Sequence, residues 1–108
     1  MTTFDERERA FEKKFAHDEE LRFRATARRN KLLGLWAGAQ MGLNAEASEA
    51  YAREVIKADI AEPGEEDVFR KIRKDFDAKR VGLSDHVIRK TMGDLMEEAV
   101  RQIETERK

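Results

Sequence analysis

Residues 84–103 read SDHVIRKTMGDLMEEAVRQI, and their spacing decides the fold class. Apolar side chains return at Ile88, Met92, Leu95, Met96, Ala99, Val100 and Ile103, the three- and four-residue steps of one helical face. Ser84 stands where an N-cap belongs, because its hydroxyl can accept a hydrogen bond from an otherwise unpaired amide of the first turn. A half-buried strand would alternate apolar and polar residues in twos. No such alternation survives beyond a few positions anywhere in the chain.

Working upstream, the same period recurs three times. Val81-Gly82-Leu83 reads as a turn, and before it a helix over about 65–79 points Val68, Phe69, Ile72 and Phe76 inward. Glu62-Pro63-Gly64 interrupts the chain, since proline cannot continue a helix and glycine permits the turn. A helix over about 45–60 follows Asn44 as cap and carries Tyr51, Ala52, Val55 and Ile56 on its inner face. A longer one, over about 19–41, starts after Asp18 with Glu19 and Glu20 in its first turn and stops near Gly42. Its expected stripe is Leu21, Ala25, Leu32, Trp36, Ala39 and Leu43. Helices of this length joined by short connections imply an all-α, up-and-down four-helix bundle, with helices at about 19–41, 45–60, 65–79 and 85–105 in a unit spanning 19–108.

Residues 1–18 stand apart. Thr3-x-x-Glu6 has the form of a capping box, Asp5 sits in the first turn, and Lys13, Lys14 and His17 suit the negative end of a helix dipole. On a wheel at about 100° per residue with Phe4 as zero, Phe11 and Phe15 fall within about 20° of it and Glu8 fills the missing turn. Three of the six phenylalanines thus share a narrow stripe in a stretch where eleven of twenty residues are charged. The stripe expected for the next helix lies about 60–100° away on the same wheel. Either the chain breaks near His17-Asp18 and this short helix docks weakly on the bundle, or the helix is mobile and its Phe stripe anchors in a partner's groove. In the second case Arg7, Glu8 and Lys14, with Arg9, Glu12 and Lys13, supply the rim. Phe23, directed away from the expected stripe along with Met41, is either covered by the folded-back helix or a neighbouring loop, or extends that binding surface.

Composition narrows the function. With no cysteine among 108 residues, disulfide scaffolds, Cys-ligated metals and thiol chemistry are excluded. No apolar run is long enough to span a membrane, and charges spaced through the first 30 residues do not suit a secretory signal. Twenty-two basic and 23 acidic residues lack the positive surplus of a nucleic-acid binder. There is no P-loop or dinucleotide glycine motif, no Glu-x-x-His pair, and His17 and His86 stand alone, so neither an enzyme nor a cofactor is expected. The charge is segmented, however: residues 21–43 hold five bases, Arg22, Arg24, Arg28, Arg29 and Lys31, and no acid. They divide on the wheel into Arg22/Arg29 and Arg24/Arg28/Lys31, flanking the apolar stripe. The first reading is a solvated flank whose stems cover the core edge; the second is an anion or nucleotide contact.

Certain stretches also resemble a known family. Met1-Thr-Thr-Phe4-Asp5, Arg7-Glu8, Phe15-Ala16-His17-Asp18, Glu20-Leu21, Ala27-Arg28-Arg29-Asn30, Leu32-Leu33-Gly34, Trp36-Ala37 and Glu62-Pro63-Gly64-Glu65-Glu66-Asp67-Val68 are similar to the zeta subunit of the alphaproteobacterial F-type ATP synthase. The likeness is densest over residues 1–37 and weakest in the helices over 45–60 and 85–105. One departure is Ile60-Ala61, where Phe-Glu commonly precedes the Glu-Pro-Gly turn. The resemblance implies a four-helix bundle with an N-terminal inhibitory segment that wedges between the alpha and beta subunits beside gamma and blocks hydrolytic rotation. The partners would then be alpha, beta and gamma; weak nucleotide binding, as a regulatory input beside them, is the separate reading of the basic flank over 22–31. Nucleic-acid binding and direct membrane insertion are not expected. The location would be cytoplasmic, at the inner membrane through the ATP synthase. A helical adaptor or nucleotide-sensing bundle without inhibitory activity is the alternative.

Overall fold

The computed structural model describes residues 19–61 and 64–106, and within them the chain forms four helices: α1 (Glu19–Gln40), α2 (Ala45–Ala61), α3 (Glu65–Ala78) and α4 (Asp85–Glu106). No strand occurs among the described residues. Each helix packs on its neighbour in chain order and α4 closes back on α1, which is the up-and-down arrangement short connections impose. The N-terminal helix expected over 1–18 lies outside the described residues.

The helix ends follow from local chemistry. Asn44 Oδ1 accepts the Ala47 amide at 2.8 Å and Ser84 Oγ accepts the Val87 amide at 3.2 Å, so two starts are capped as their side chains predict. The last turn of α1 closes with Leu43 N–H donating to Gly38 O and Gly42 N–H donating to Ala39 O, Gly42 standing at φ 79°. This is a Schellman ending, which needs one left-handed residue and is suited by glycine. The end of α3 repeats the pattern with Val81 N–H on Phe76 O and Arg80 N–H on Asp77 O. There the left-handed residue is Arg80, at φ 58°.

Two apolar clusters fill the bundle. The larger joins all four helices through Leu33, Ala37, Tyr51, Val55, Ile72 and Met92 and their neighbours, with Trp36 tilted against Phe76 at 5.7 Å between ring centroids. The smaller joins the first half of α1 to the last half of α4 through Leu21, Ala25, Val100 and Ile103. The inner faces expected for α3 and α4 are buried, except that Leu95 and Met96 are half-buried.

The inner face of α1 differs from expectation in its second half. Leu21 and Ala25 are buried as expected, but further along Leu33 and Ala37 are fully buried, whereas Leu32, Trp36 and Leu43 are half-buried and Ala39 is exposed. The cause lies in α2: a Cβ on Gly34 would stand 2.9 Å from Ala52 Cβ and closer still to its Cα, and one on Gly38 would stand 2.8 Å from Ser48 Cβ. Glycines four residues apart therefore let two backbones touch, and the buried arc of α1 turns toward them. Measured from Leu21 and Ala25, the buried residues nearest it, the phenylalanine stripe over 4–15 continued on one straight wheel stays about 60–100° from the core, whereas measured from Leu33 and Ala37 it falls about 20–60° away.

Candidate functional site

Phe4, Arg7, Glu8, Phe11, Lys14 and Phe15, the residues expected to meet a partner, lie outside the described residues. So does the expected break at His17-Asp18. What can be built upward is the surface they adjoin: α1 from Glu19 onward, with its five bases and Phe23.

The bases do not form one patch. Arg28 reaches across to α4, where one guanidinium nitrogen lies 2.7 Å from Gln102 Oε1 and 2.7 Å from Glu106 Oε2, and the other donates to Glu106 Oε1 at 3.1 Å. Arg24 adds a longer pair to Glu106 at 3.6 Å. The hydrogen bond from Arg28, helped by the charges of Arg28 and Arg24, holds the Glu106 carboxyl below its usual value. Gln102 passes the chain on, its amide donating to Glu98 at 2.9 Å, and Glu98 is lowered in turn by Arg101. Arg22 and Lys31 are exposed.

Arg29 departs from the solvated-flank reading. It is 1% exposed, its Nε donating to Asn30 Oδ1 at 2.8 Å and a terminal nitrogen to Glu65 Oε1 at 3.2 Å. Asn30 Nδ2 donates onward to Asp59 Oδ2 at 2.9 Å, and the other Asp59 oxygen accepts the Gly64 amide at 3.3 Å. A buried guanidinium persists only when paired and hydrogen-bonded, and this cluster does both while tying α1 to the start of α3 and the end of α2. The sequence signals for it were present: Asn30 stands only about 40° from Gly34 on the wheel, a direction that the Gly34-x-x-x-Gly38 spacing marks as the approach to α2. A wheel built on apolar residues marks neither, because it counts glycine and asparagine as neutral.

Phe23 is 66% exposed, and its direction is a second correction. It falls about 20° from both Asn30 and Gly34 on the wheel, so it lies on the α2-facing side rather than opposite the core. Gly34 sits against Ala52 and Gly38 against Ser48, and that antiparallel register carried back along α1 places Phe23 past the end of α2 at Ala61.

Elsewhere the polar side chains bind helices to one another. Tyr51 donates to Asp75 Oδ2 at 2.6 Å, and burial followed by that bond pushes the phenol far above its ordinary value. Lys71 bridges Asp75 and Glu54 and lies 5.0 Å from the Tyr51 ring centre. Arg89 clasps Glu66 in a two-pronged pair and stacks on Phe69 at 3.9 Å. Among the described residues no three His, Cys, Asp or Glu side chains gather as a metal site requires, and no described helix is long and apolar enough to cross a membrane.

Comparison with known proteins places this geometry. The model of the family described as ATPase inhibitor subunit zeta matches residues 1–102. A solved structure, titled as a solution NMR structure, is 42% identical, with a TM-score of 0.70, covering 80% of this chain and 98% of its own. No curated protein matches the chain.

Proposed function

Because the chain belongs to the ATPase inhibitor subunit zeta family, we propose that it is a non-catalytic regulator that inhibits ATP hydrolysis by the F-type ATP synthase. Residues 1–18 are the inhibitory segment and residues 19–108 the bundle that carries it. The observation supporting this reading is the span of the family match, residues 1–102, which takes in the phenylalanine stripe together with the helices. The segment enters a catalytic interface between alpha and beta, beside gamma, so the protein is held peripherally at the membrane through the enzyme. The mechanism does not draw on the bases of α1 as a unit, since Arg24, Arg28 and Arg29 are engaged with Glu106 and Glu65.

The energetics are those of a terminal segment that orders on binding. Phe4, Phe11 and Phe15 each contribute about 1.5–3 kcal/mol when fully buried in the cleft, with Arg7, Glu8 and Lys14 at its rim. Ordering the segment on binding consumes about 2–5 kcal/mol of the gross contact energy, which lowers the net affinity correspondingly. Selectivity for the hydrolysing enzyme arises when the pocket exists in one rotational state, because a ligand shifts populations only through differential affinity.

Alanine substitution at each phenylalanine, singly and together, tests the reading. At least one single variant raises the half-inhibitory concentration about 10-fold or more, as loss of about 1.4 kcal/mol requires, and the triple variant does not inhibit at concentrations where the parent saturates. Three single variants and a triple variant that all inhibit like the parent, with unchanged helical circular dichroism, remove the wedge.

A further inference from the structure

α1 outruns α2, and the place where it does so leaves apolar surface uncovered. Phe23 is 66% and Ile60 63% exposed, and the next large apolar side chain among the described residues is Val87 at 36%. The first two share one end of the bundle. Gly34 against Ala52 and Gly38 against Ser48 fix an antiparallel register, in which Ile60 comes opposite Thr26, about 4.5 Å along the axis from Phe23. The 2.9 Å hydrogen bond from Asn30 to Asp59 keeps the two helices within reach of each other up to the residue before Ile60. Phe23 points toward α2 past its last turn, Ile60 sits in that last turn, and Ala27, one turn on from Phe23, is half-buried. A lone exposed apolar residue is ordinary on a protein surface, whereas large apolar residues grouped at one place mark a contact.

The nearest candidate to cover them is the chain's own N-terminal segment. Residues 1–18 run directly into Glu19, the first residue of α1 and about one turn before Phe23. They carry three of the six phenylalanines, spaced for one helical face. The break expected at His17-Asp18 gives a connection of ordinary length between two antiparallel helices. A helix over 4–15 is about 18 Å long, and laid back along α1 from a turn at 16–18 it brings Phe11 and Phe15 within about one turn of Phe23. A second copy of the chain fits less well. Two side chains fall far short of the about 800 Å² that each partner of a stable dimer buries, whereas a short tether holds its segment at about millimolar effective concentration.

We infer that Phe23 and Ile60 are a docking site for the chain's own phenylalanine stripe, on which residues 4–15 rest when no enzyme is bound and from which they are released to inhibit. The consequence for inhibition rests on the inhibitor reading above; the contact itself does not. A docked segment is withheld from the enzyme, so the apparent inhibition constant is the intrinsic one divided by the undocked fraction. Two side chains cover only part of a stripe of three phenylalanines, and a cleft that buries all three takes the segment over.

The test uses the full chain. It has no cysteine, so Ala10→Cys, about 120° from Phe4 on the wheel, takes a single nitroxide label on the side away from the stripe. The label broadens the NMR signals of the Ile60 methyls and the Phe23 ring, to the same degree when the protein is diluted. Signals that the label leaves sharp overturn the docking site, and broadening that fades on dilution overturns it in favour of a second copy. In Phe23→Ser/Ile60→Ser, with helical circular dichroism unchanged, the signals of neighbouring Ala27 lose their broadening. That variant also lowers the half-inhibitory concentration on an F-type ATPase about 3-fold or more, as a parent undocked for about a third of the time or less requires. A variant that inhibits no better than the parent overturns the withholding of the segment, and one that inhibits less well makes the patch a contact with the enzyme instead. A parent that shows the contact and does not inhibit removes the inhibitor reading alone and leaves the docking site standing.

Discussion

Arg80 is the residue at which this fold departs most clearly from local preference. A non-glycine side chain at φ 58° sits in a region that costs about 1–2 kcal/mol, part of which glycine's freedom in the unfolded chain offsets. Arg80→Gly therefore stabilises the protein by about 0.5–1 kcal/mol, read as a higher urea midpoint at unchanged slope. Gly42, in the matching slot of α1 at φ 79°, gives the opposite sign, with Gly42→Ala destabilising by about 1 kcal/mol. The glycines inside α1 answer to a different constraint. Gly34→Ala drives a methyl against Ala52 and costs about 1–3 kcal/mol as overpacking, even though alanine is the better helix former by about 1 kcal/mol. Gly82→Ala, which meets nothing within 4 Å, serves as the near-neutral control. A Gly34→Ala variant at least as stable as the parent in urea would mean that the close approach of α1 and α2 is not what sets their register.

Among the elements, α3 and α4 were legible in the sequence and α1 only partly so. Val68, Phe69, Ile72 and Phe76 form one narrow stripe flanked by charge, and all four are buried. Here periodicity and packing agree. α1 instead contacts α2 along one side and α4 along another, so its buried arc is broad. That arc includes Arg29, Asn30, Gly34 and Gly38, residues that apolar counting does not mark as internal. Long-range polar partners are the second illegible kind, since nothing local in the chain pairs Arg29 with Glu65 or Arg28 with Glu106. The Arg29 cluster is the more consequential of the two. Glu65→Ala leaves a buried guanidinium with Asn30 alone and costs about 1–3 kcal/mol, below the usual loss for a fully buried pair because the Glu65 side chain is 35% exposed; thermal or urea unfolding measures it. The exposed pairs act through pH. Glu66, Glu98 and Glu106 are held below their usual value of 4.5, first by hydrogen bonds from Arg89, Arg101 and Arg28. A carboxyl lowered in the folded state adds stability that is present above its unfolded value and lost as pH falls through its folded one. The melting temperature should therefore fall as the pH drops below about 4.5, and Arg28→Gln with Arg89→Gln should flatten that slope. An unchanged slope would show that these pairs do not carry the acid response.

At the scale of the whole molecule, the bundle reads as a carrier. Its polar side chains are largely spent in tying helix to helix, and the chain shows family likeness from residue 1 to residue 102. The phenylalanine spacing over 4–15, which lies outside the described residues, names no target in the sequence, because a periodic apolar face specifies that something is buried without specifying what covers it. On this reading inhibition belongs to the first 18 residues and support to the rest. The most direct test titrates an F-type ATPase, freed of its own inhibitor subunit, with the full chain and with a version starting at Glu19, both checked for matching helical circular dichroism. The account predicts saturable inhibition of ATP hydrolysis by the full chain and none by the shortened one. Equal inhibition by the two would place the inhibitory surface in the bundle and contradict it, and no inhibition by either would contradict the function itself.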